Sequence, residues 1–273
     1  MHFRFLIWLS EAQKKYLHVL FNNMQVLPIT FNKPHNVNFK ANSRWVYDKS
    51  GKELYKTTTY LFRDDLDWEN LIKYICDKYK NVPKVNFINH VCSNGMEPLS
   101  FLISMMLFSP ENVKKFTPII AKDINPENII MAKKGECGVS SDDFIRIHKI
   151  TNGRYRDFFN LKHDKNTDGL FTLSPKEAIK NNIIFEQGDI FKDVNNMPKD
   201  NTFLCCRNFW AYLPFEQRRK LAESLSEILN PSSTILIGFH DISEARADLH
   251  LELCGFKRCP TGTPYVNIMY SKT

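Results

Sequence analysis

The sequence predicts an α/β protein whose core is a mostly parallel β-sheet with helices on both faces. Five short apolar runs between residues 85 and 239 alternate with segments of helical periodicity, which is typical of parallel strands joined by helical crossovers. Two further runs near the C-terminus flank a turn containing prolines, which predicts a hairpin and a C-terminal antiparallel strand. The expected sheet therefore has seven strands.

Local signals place the elements along the chain. A helix is predicted to begin after Asn125, because Asn is a favoured N-cap and Pro126 and Glu127 suit the first turn. We expect Phe158, Phe159 and Phe171 in the core of a small flap before the third strand. The predicted strands and helices are, in chain order, strand Val85–His90, helix Pro98–Phe108, strand Phe116–Lys122, the helix after Asn125, strand Ile183–Phe185, strand Thr202–Cys206, helix Pro214–Leu229, strand Thr234–Phe239, helix Ser243–Leu253, and the hairpin of Phe256–Arg258 with Val266–Tyr270.

The first 50 residues differ in pattern from the rest of the chain. Residues Glu11 to Met24 fit one amphipathic helix, and the segment from Pro28 to Arg44 is rich in Asn, Pro and Lys with little periodicity. We therefore expect a partly helical N-terminal extension over residues 1–50 and one folded domain over residues 51–273.

Composition narrows the class of protein. With 43% hydrophobic and 25% charged residues, the chain is typical of globular proteins and not of disordered ones. A net charge of +7 is compatible with nucleic acid but fits an anionic substrate equally well. Seven cysteines without a CxxC pair predict free thiols in a reducing, cytoplasmic location, with no zinc or other metal site. The apolar run at the N-terminus is too short for a signal segment, and no membrane insertion is expected.

Ligands of parallel sheets bind beyond the carboxyl ends of the strands, so the residues there are the candidates. After the first strand, Gly95 in the run CSNGMEP lets the backbone pass close to a ligand and leads into a helix N-terminus. Asp123 ends the second strand, where an acid can accept hydrogen bonds from both ribose hydroxyls of a nucleoside cofactor. Each feature also has a structural explanation, since glycine turns are common and Asp123 suits a helix cap.

The third and fourth strands are also followed by polar residues. Asp189 in the run FEQGDIF suits the amino group of an adenine, although a simple turn explains it as well. Arg207 and Asn208 end an apolar strand, where polar side chains are costly unless they have partners. Together with Trp210 and Tyr212, they are predicted to form the floor of a cleft.

In combination these motifs are far more specific than any one of them. The runs CSNGMEP, DIN, GDIF and CRNFWAY resemble the CheR-type chemoreceptor methyltransferases, whose hallmarks include CSTGEEPYS, TDID and CRNVxIYF after the same strands. Upstream, the run TTTYLFRD (Thr57–Asp64) resembles the family's TxNxTxFFRE. The resemblance covers roughly residues 55–245. It implies a Rossmann-like class I methyltransferase domain, with S-adenosyl-L-methionine as cofactor and S-adenosyl-L-homocysteine as product.

The resemblance also implies site residues. Arg63 and Tyr212 are the implied catalytic residues, with Arg63 holding the methyl acceptor and Tyr212 lining its pocket. Glu97 is expected near the methionine part of the cofactor. The residues implied to bind the cofactor are Thr57, Thr59, Arg63, Cys92, Ser93, Gly95, Glu97, Asp123, Ile124, Asp189, Ile190, Arg207 and Asn208. Departures from the family pattern include Met96 in place of the first Glu of GEEP and a short segment where the family carries a helical receptor-docking domain.

The expected reaction is methyl transfer to a carboxylate, such as a protein glutamate, which is ionised at neutral pH and needs no base. Two alternatives stay open: an enzyme with the same core that acts on a small molecule or a different protein, and a non-catalytic cofactor-binding module. An amine, phenol or thiol acceptor would need a base, for which His240 and Asp189 are candidates. The basic run Arg218 to Lys220 is expected to be a solvated helix face, so no nucleic-acid partner is predicted.

Overall fold

The computed structural model describes residues 45–47, 53–56, 59–139, 141–163, 171–259 and 268–272. The predicted helix from Glu11 to Met24, the segment from Pro28 to Arg44 and the site candidate Thr57 lie outside the described residues. The described residues fall within one unit, Ala41–Thr273. The predicted division at residue 50 stays a prediction.

Seven strands form the central sheet. The strands of the described residues are β1 (Trp45–Tyr47), β2 (Glu53–Lys56), β3 (Asn86–His90), β4 (Ile119–Asp123), β5 (Cys137–Val139), β6 (Phe159–His163), β7 (Phe171–Pro175), β8 (Ile183–Gln187), β9 (Thr202–Cys205), β10 (Thr234–Leu236), β11 (Phe256–Arg258) and β12 (Met269–Lys272). The order across the sheet is β11-β12-β10-β9-β3-β4-β8. Neighbours from β10 to β8 are parallel, whereas β12 is antiparallel to both β10 and β11. The predicted sheet and its antiparallel C-terminal strand are confirmed.

Helices cover the sheet between the strands. The α-helices of the described residues are α1 (Trp68–Lys78), α2 (Met96–Phe108), α3 (Val113–Phe116), α4 (Pro126–Lys134), α5 (Ser141–Ile150), α6 (Tyr155–Phe158), α7 (Glu177–Lys180), α8 (Ile190–Asp193), α9 (Phe215–Ile228), α10 (Phe239–Ala245) and α11 (Ala247–Leu253). Asn125 caps α4 as predicted, since its side chain accepts a hydrogen bond from the Glu127 N–H. Short 3₁₀ turns at Pro110–Asn112, Val194–Asn196 and Trp210–Tyr212 complete the set.

Aromatic packing fixes the middle of the sheet against α2. Every residue of β9 is buried. The ring of Phe87 on β3 meets Phe101 of α2 and Phe203 of β9 edge to face, at centroid distances of 5.2 and 4.9 Å. A strand buried on both faces cannot move without opening this core. The carboxyl ends of β3 and β9 are therefore held rigidly side by side.

The region after β10 differs from the prediction. The strand ends at Leu236, and the expected single helix Ser243–Leu253 is instead two helices, α10 and α11. They meet at Arg246, whose φ of 51° is a left-handed conformation that interrupts the helical hydrogen bonds. Apolar periodicity alone does not reveal such a break, because the residues on both sides of Arg246 follow the same pattern.

A second, antiparallel sheet is formed by strands that lie between β4 and β8 in the sequence. Its order is β5-β7-β6, and Leu173 on β7 is fully buried in it. The predicted flap is thus present, with Phe158 and Phe159 buried as expected and Phe171 packed at the edge of the core.

Candidate functional site

The backbone at the carboxyl ends of β3 and β9 is unusual. Val91, Ser93 and Gly95, directly after β3, have φ angles of 64°, 51° and 84°, and Asn208, after β9, has a φ of 58°. A positive φ is costly for a β-branched residue such as Val91, and strained backbone of this kind concentrates at functional sites. The observation therefore points to the same edge of the sheet as the sequence motifs.

Gly95 is required by packing as well as by its backbone angle. A Cβ at this position would lie 2.9 Å from both the Ala132 Cβ and the Phe185 Cε1. The glycine thus lets the turn before α2 approach α4 and β8. Close approach to protein, as well as to a ligand, explains this residue.

Asp123, at the end of β4, joins three chain segments. One carboxylate oxygen accepts a hydrogen bond from the Ser93 N–H at 2.8 Å, and the other accepts from the Asn125 N–H at 2.9 Å and the Asn128 Nδ2 at 3.0 Å. The residue is 1% exposed. Burial raises the pKa of its carboxyl group, against the three hydrogen bonds that lower the pKa. Because an ionised carboxylate offers about four acceptor positions, some capacity remains for a ribose hydroxyl.

Side chains of alternating charge, which we call the charge line, connect α2, β9 and the segment before α1. They are Glu97, Arg207, Asp65 and Arg63. The guanidinium of Arg207, at the end of β9, donates to Glu97 at 2.6 Å and to Asp65 at 2.8 Å. The Arg63 Nε lies 3.6 Å from the same oxygen of Asp65. The Arg207 side chain is fully buried, so both carboxylates together raise its pKa against the desolvation that lowers it. The partner that the sequence required for Arg207 is therefore a pair of acids.

Glu97 is engaged by the protein on both oxygens. Besides Arg207, it accepts hydrogen bonds from the Asn89 Nδ2 at 2.9 Å and from the Cys205 thiol at 3.0 Å. Burial, followed by the charge of Glu97, raises the pKa of Cys205 well above its usual value, so this thiol stays protonated and acts as a donor. Glu97 fixes the first turn of α2 to β3 and β9.

Arg63 lies in a segment that is docked onto the domain at several points. The Phe62 N–H donates to the Ser100 Oγ at 2.8 Å, and the Trp68 indole N–H donates to the Arg63 carbonyl at 2.9 Å. The guanidinium of Arg146 from α5 covers the Tyr60 ring at 4.5 Å. With 24% of its side chain exposed, Arg63 is accessible to a ligand while its backbone is held in place.

Asp241 binds the turns after β9 and β10 together. Its carboxylate accepts hydrogen bonds from the backbone N–H groups of Asn208, Gly238 and Trp210, at 2.6, 2.8 and 2.9 Å. Gly238 allows this contact, since a Cβ there would lie 2.3 Å from the Asn208 Oδ1. Burial raises the pKa of Asp241 to about 6, although the three N–H donors oppose the shift.

We expect this burial to appear in the pH dependence of stability. Between the ordinary pKa of 3.8 and about 6, the folded chain holds the Asp241 proton more tightly than the unfolded chain does, so stability falls as pH rises. The loss amounts to about 3 kcal/mol. Urea denaturation of the wild type and of Asp241→Asn at pH 4 and pH 7 measures it. Because the unfolded carboxyl is already partly ionised at pH 4, the difference between the two proteins should shift by about 2 kcal/mol in favour of the variant, and a pH-independent difference would contradict the assignment.

Tyr212 and His240 lie at the open side of the site. Tyr212 ends the 3₁₀ turn after β9 and is 43% exposed, and its ring centroid lies 6.4 Å from that of the exposed His240. Tyr212 is thus accessible to a ligand but is not part of the charge line, and its role beside an acceptor stays a prediction.

The residues after β4 and β8 offer a different surface. Ile124 is 46% exposed, which is unusual for an isoleucine beside the buried Asp123 and suits contact with a flat apolar group. Asp189 caps α8 through the Phe191 N–H, whereas Ile190 is buried. The Cys92 side chain points into the core, and its N–H donates to the Lys122 carbonyl at 2.8 Å. Thr59 is half-buried in the docked segment.

Comparison with known proteins decides the family. The description "CheR methyltransferase, SAM binding domain" fits residues 57–252, well over half of the chain. The chain belongs to the CheR methyltransferase family. It is 25% identical over 215 residues to chemotaxis protein methyltransferase 2 of Vibrio cholerae, covering 73% of this chain and 69% of that protein. The predicted resemblance is confirmed, and with it the class I fold of an S-adenosylmethionine-dependent methyltransferase.

Solved structures of other methyltransferases show weaker likeness. Human N-acetylserotonin methyltransferase has a TM-score of 0.40 at 13% identity, covering 76% of this chain and 51% of that one. Magnesium protoporphyrin IX methyltransferase of Synechocystis has a TM-score of 0.39 at 11% identity, covering 76% and 78%. PKMT2 of Rickettsia typhi has a TM-score of 0.36 at 14% identity, covering 66% of this chain and only 26% of that chain. These likenesses carry no further argument.

The site of this CheR-family protein fits S-adenosylmethionine. Asp123 lies at the end of β4 with the exposed Ile124 beside it, as a ribose and an adenine require. Among the described residues, the buried Oδ1 atoms of Asn94 and Asn208 have no hydrogen-bond partner, and both belong to the turns after β3 and β9. Buried acceptors of this kind normally have a partner, which a cofactor with several N–H and O–H groups would supply.

Among the residues that the structure describes, none of the helices has the length and hydrophobicity needed to cross a bilayer. Within the same ranges, no group of three or more His, Cys, Asp or Glu side chains is arranged to hold a metal ion.

Asp123→Ala is expected to weaken cofactor binding at least tenfold, because charge-assisted hydrogen bonds to ribose contribute about 1.5–3 kcal/mol each. It should also lower the melting temperature, since Asp123 joins the segments of Ser93, Asn125 and Asn128. Calorimetric titration with S-adenosylhomocysteine measures the affinity. The matched control is Asn128→Ala, which removes one donor and leaves the carboxylate. Equal affinities in both variants would make Asp123 a purely structural residue.

Proposed function

We propose that this protein transfers a methyl group from S-adenosylmethionine to a side-chain carboxylate of another protein, such as a glutamate of a chemoreceptor. Membership of the CheR family and the chemotaxis relative support the proposal. The proposed cofactor residues are those that the sequence implied, with Asp123 and Ile124 on the nucleoside side and Glu97 and Arg207 on the methionine side.

The observation that supports a carboxylate acceptor is that the carboxyl groups at the strand ends all accept hydrogen bonds from the protein itself. Asp123 and Asp241 each accept three hydrogen bonds, and Glu97 accepts three. Asp189 is engaged as a helix cap. An amine, phenol or thiol must lose a proton during methylation and needs a base, whereas an ionised carboxylate does not. These four strand-end carboxyl groups are therefore poorly suited to that role, which favours a carboxylate acceptor; Asp65, whose Oδ1 has no partner among the described residues, lies in the segment before α1 and is not one of them.

Bound S-adenosylmethionine supplies a methyl group on a positively charged sulfur and leaves as neutral S-adenosylhomocysteine. The protein mainly has to align the acceptor with that methyl group and to exclude water. Arg63 is proposed to hold the acceptor carboxylate through its forked N–H groups. Tyr212 is proposed to line the pocket and donate a hydrogen bond from its hydroxyl. We place the reaction in the cytoplasm, which the seven free cysteines support.

Methyl-labelled S-adenosylmethionine tests the proposal directly. The acceptors are a chemoreceptor cytoplasmic fragment that carries glutamates and the same fragment with each glutamate changed to glutamine. We expect label only in the first, released as methanol in mild base because methyl esters hydrolyse there. Label that resists base, or that appears equally in both fragments, would contradict a carboxylate acceptor.

His240→Ala gives an independent test of the base-free reaction. A carboxylate acceptor predicts a rate within about threefold of the wild type, whereas loss of a general base typically costs about 10²–10⁴-fold. Initial rates at saturating S-adenosylmethionine provide the measurement. A large loss would favour an acceptor that must be deprotonated. Binding of cofactor to the variant serves as the check that the site is intact.

A further inference from the structure

One oxygen of Asp65 is buried in the charge line without a partner. Its Oδ2 is bound by Arg207 at 2.8 Å and lies 3.6 Å from the Arg63 Nε. Its Oδ1 is shielded from solvent and, among the described residues, has no hydrogen-bond partner. Leaving a buried charged acceptor without a hydrogen bond costs free energy, so we expect a bound ligand to supply a donor to this oxygen.

The position of this oxygen is fixed by its neighbours. Arg207 is fully buried and holds Asp65 with one nitrogen and Glu97 with another, at 2.8 and 2.6 Å. Asp65 and Glu97 therefore lie on the same part of the site, at the first turn of α2. Asp123, which suits the ribose, is tied instead to Ser93 on the other side of that turn. The free oxygen thus belongs to the Glu97 end of the site, where the methionine part of the cofactor is expected.

The local charge indicates what kind of donor fits. Two carboxylates flank the guanidinium of Arg207, and the Arg63 Nε lies 3.6 Å from the Asp65 Oδ2, so the two acids face two guanidinium groups. Both of these contacts to Asp65 are made by its Oδ2. The buried Oδ1 is left as a charged acceptor, which binds a cationic N–H donor more strongly than a neutral one. Adenine and ribose carry only neutral donors. The α-amino group of the methionine part is the one cationic N–H donor in S-adenosylmethionine.

We propose that Asp65 binds the α-ammonium group of S-adenosylmethionine through its Oδ1. The neighbouring acid, Asp64, is the last residue of the run TTTYLFRD. Its carboxylate accepts a hydrogen bond from the Tyr60 hydroxyl at 2.8 Å near the surface. Asp65 lies outside that motif and was not among the predicted site residues. The inference concerns the cofactor alone, so it holds or fails independently of the carboxylate acceptor.

Calorimetric binding of three ligands to three proteins tests the proposal without any acceptor. The ligands are S-adenosylhomocysteine, its analogue that lacks the amino group, and methylthioadenosine, which lacks the whole amino acid part. The proteins are the wild type, Asp65→Asn and the matched control Asp64→Asn. We expect Asp65→Asn to bind S-adenosylhomocysteine about ten- to a hundredfold more weakly. Its affinity for the other two ligands should stay within about threefold of the wild type, and Asp64→Asn should match the wild type with all three.

Two outcomes would overturn the inference. One is an Asp65→Asn variant that loses the same factor with all three ligands, since a structural residue would act in this way. The other is a wild type that binds S-adenosylhomocysteine and the deaminated analogue equally well. The second measurement needs no variant, so it decides the matter even where Asp65→Asn does not fold.

Discussion

Replacing Arg207 by methionine is expected to lower the free energy of unfolding by about 3–5 kcal/mol, because breaking a buried ion pair leaves its partner charges uncompensated. In this protein two acids, Glu97 and Asp65, would lose their shared cation within the core. The loss should be seen as a lower urea midpoint with an unchanged slope. Methionine is chosen because it fills a similar space without a charge.

An exposed arginine supplies the control for this experiment. Arg219 on α9 also contacts two acids, Glu216 and Glu223, but its side chain is 56% exposed. Arg219→Met should cost at most about 1 kcal/mol, because solvent screens exposed ion pairs. Adding Glu97→Gln to Arg207→Met should restore part of the lost stability by removing one stranded charge. Equal losses from Arg207→Met and Arg219→Met would show that the buried charge line contributes little.

The sheet could be predicted from sequence because its signals are local. A run such as Thr202–Cys205 is apolar throughout, and a strand that is buried on both faces has just this composition. Arg207, which follows this strand, also indicated correctly that partners must exist. A sequence pattern, however, describes residues that are close along the chain. It does not show which distant residues contact them in the fold.

Asp65 shows this limit most clearly. It meets Arg207 across 142 positions of sequence, and a single acid in a turn has no periodicity or spacing that marks it. The motif drew attention to Arg63, and Asp65, two positions later, was given no role in the site. The signal that could have found Asp65 is the number of N–H donors, because the guanidinium of a buried arginine has about five of them and Glu97 alone cannot accept them all.

The early end of β10 has a tertiary cause. Asp241, just beyond the expected strand, turns its carboxylate inward to three backbone N–H groups. Such an arrangement requires Gly238 to contact Asn208, a residue 30 positions earlier in the chain. Local propensity favoured a longer strand, and these tertiary hydrogen bonds overrode it.

Asp123 and Gly95 illustrate a different limit. The sequence left a structural and a ligand-binding explanation open for each, and the structure shows a structural role for both, although Asn125 and not Asp123 is the N-cap of α4. Asp123 holds three N–H donors, and Gly95 packs against Ala132 and Phe185. A structural role does not exclude binding, because a carboxylate held in place by the protein presents its remaining acceptor position at a fixed point.

Arg63→Ala is expected to lower turnover by about 10²–10³-fold, the usual loss when a group that orients the reacting atoms is removed. Its backbone is fixed by Phe62 and Trp68, and Asp65 keeps Arg207 as a partner at 2.8 Å, so the fold should persist. Initial rates with labelled S-adenosylmethionine measure turnover. Calorimetry on the same variant should show a much smaller change in cofactor affinity.

The charge and the shape of Arg63 can be separated by further variants. Arg63→Lys should recover little activity, because an ammonium group is a point charge and cannot hold both oxygens of a carboxylate as a guanidinium does. Tyr212→Phe should keep cofactor binding and lose only part of the rate, since it removes one exposed hydroxyl. Arg154→Ala, at an exposed surface pair with Asp157, is the control and should leave turnover unchanged. Wild-type turnover in Arg63→Ala would remove the arginine from catalysis and leave it as an anchor for Asp65.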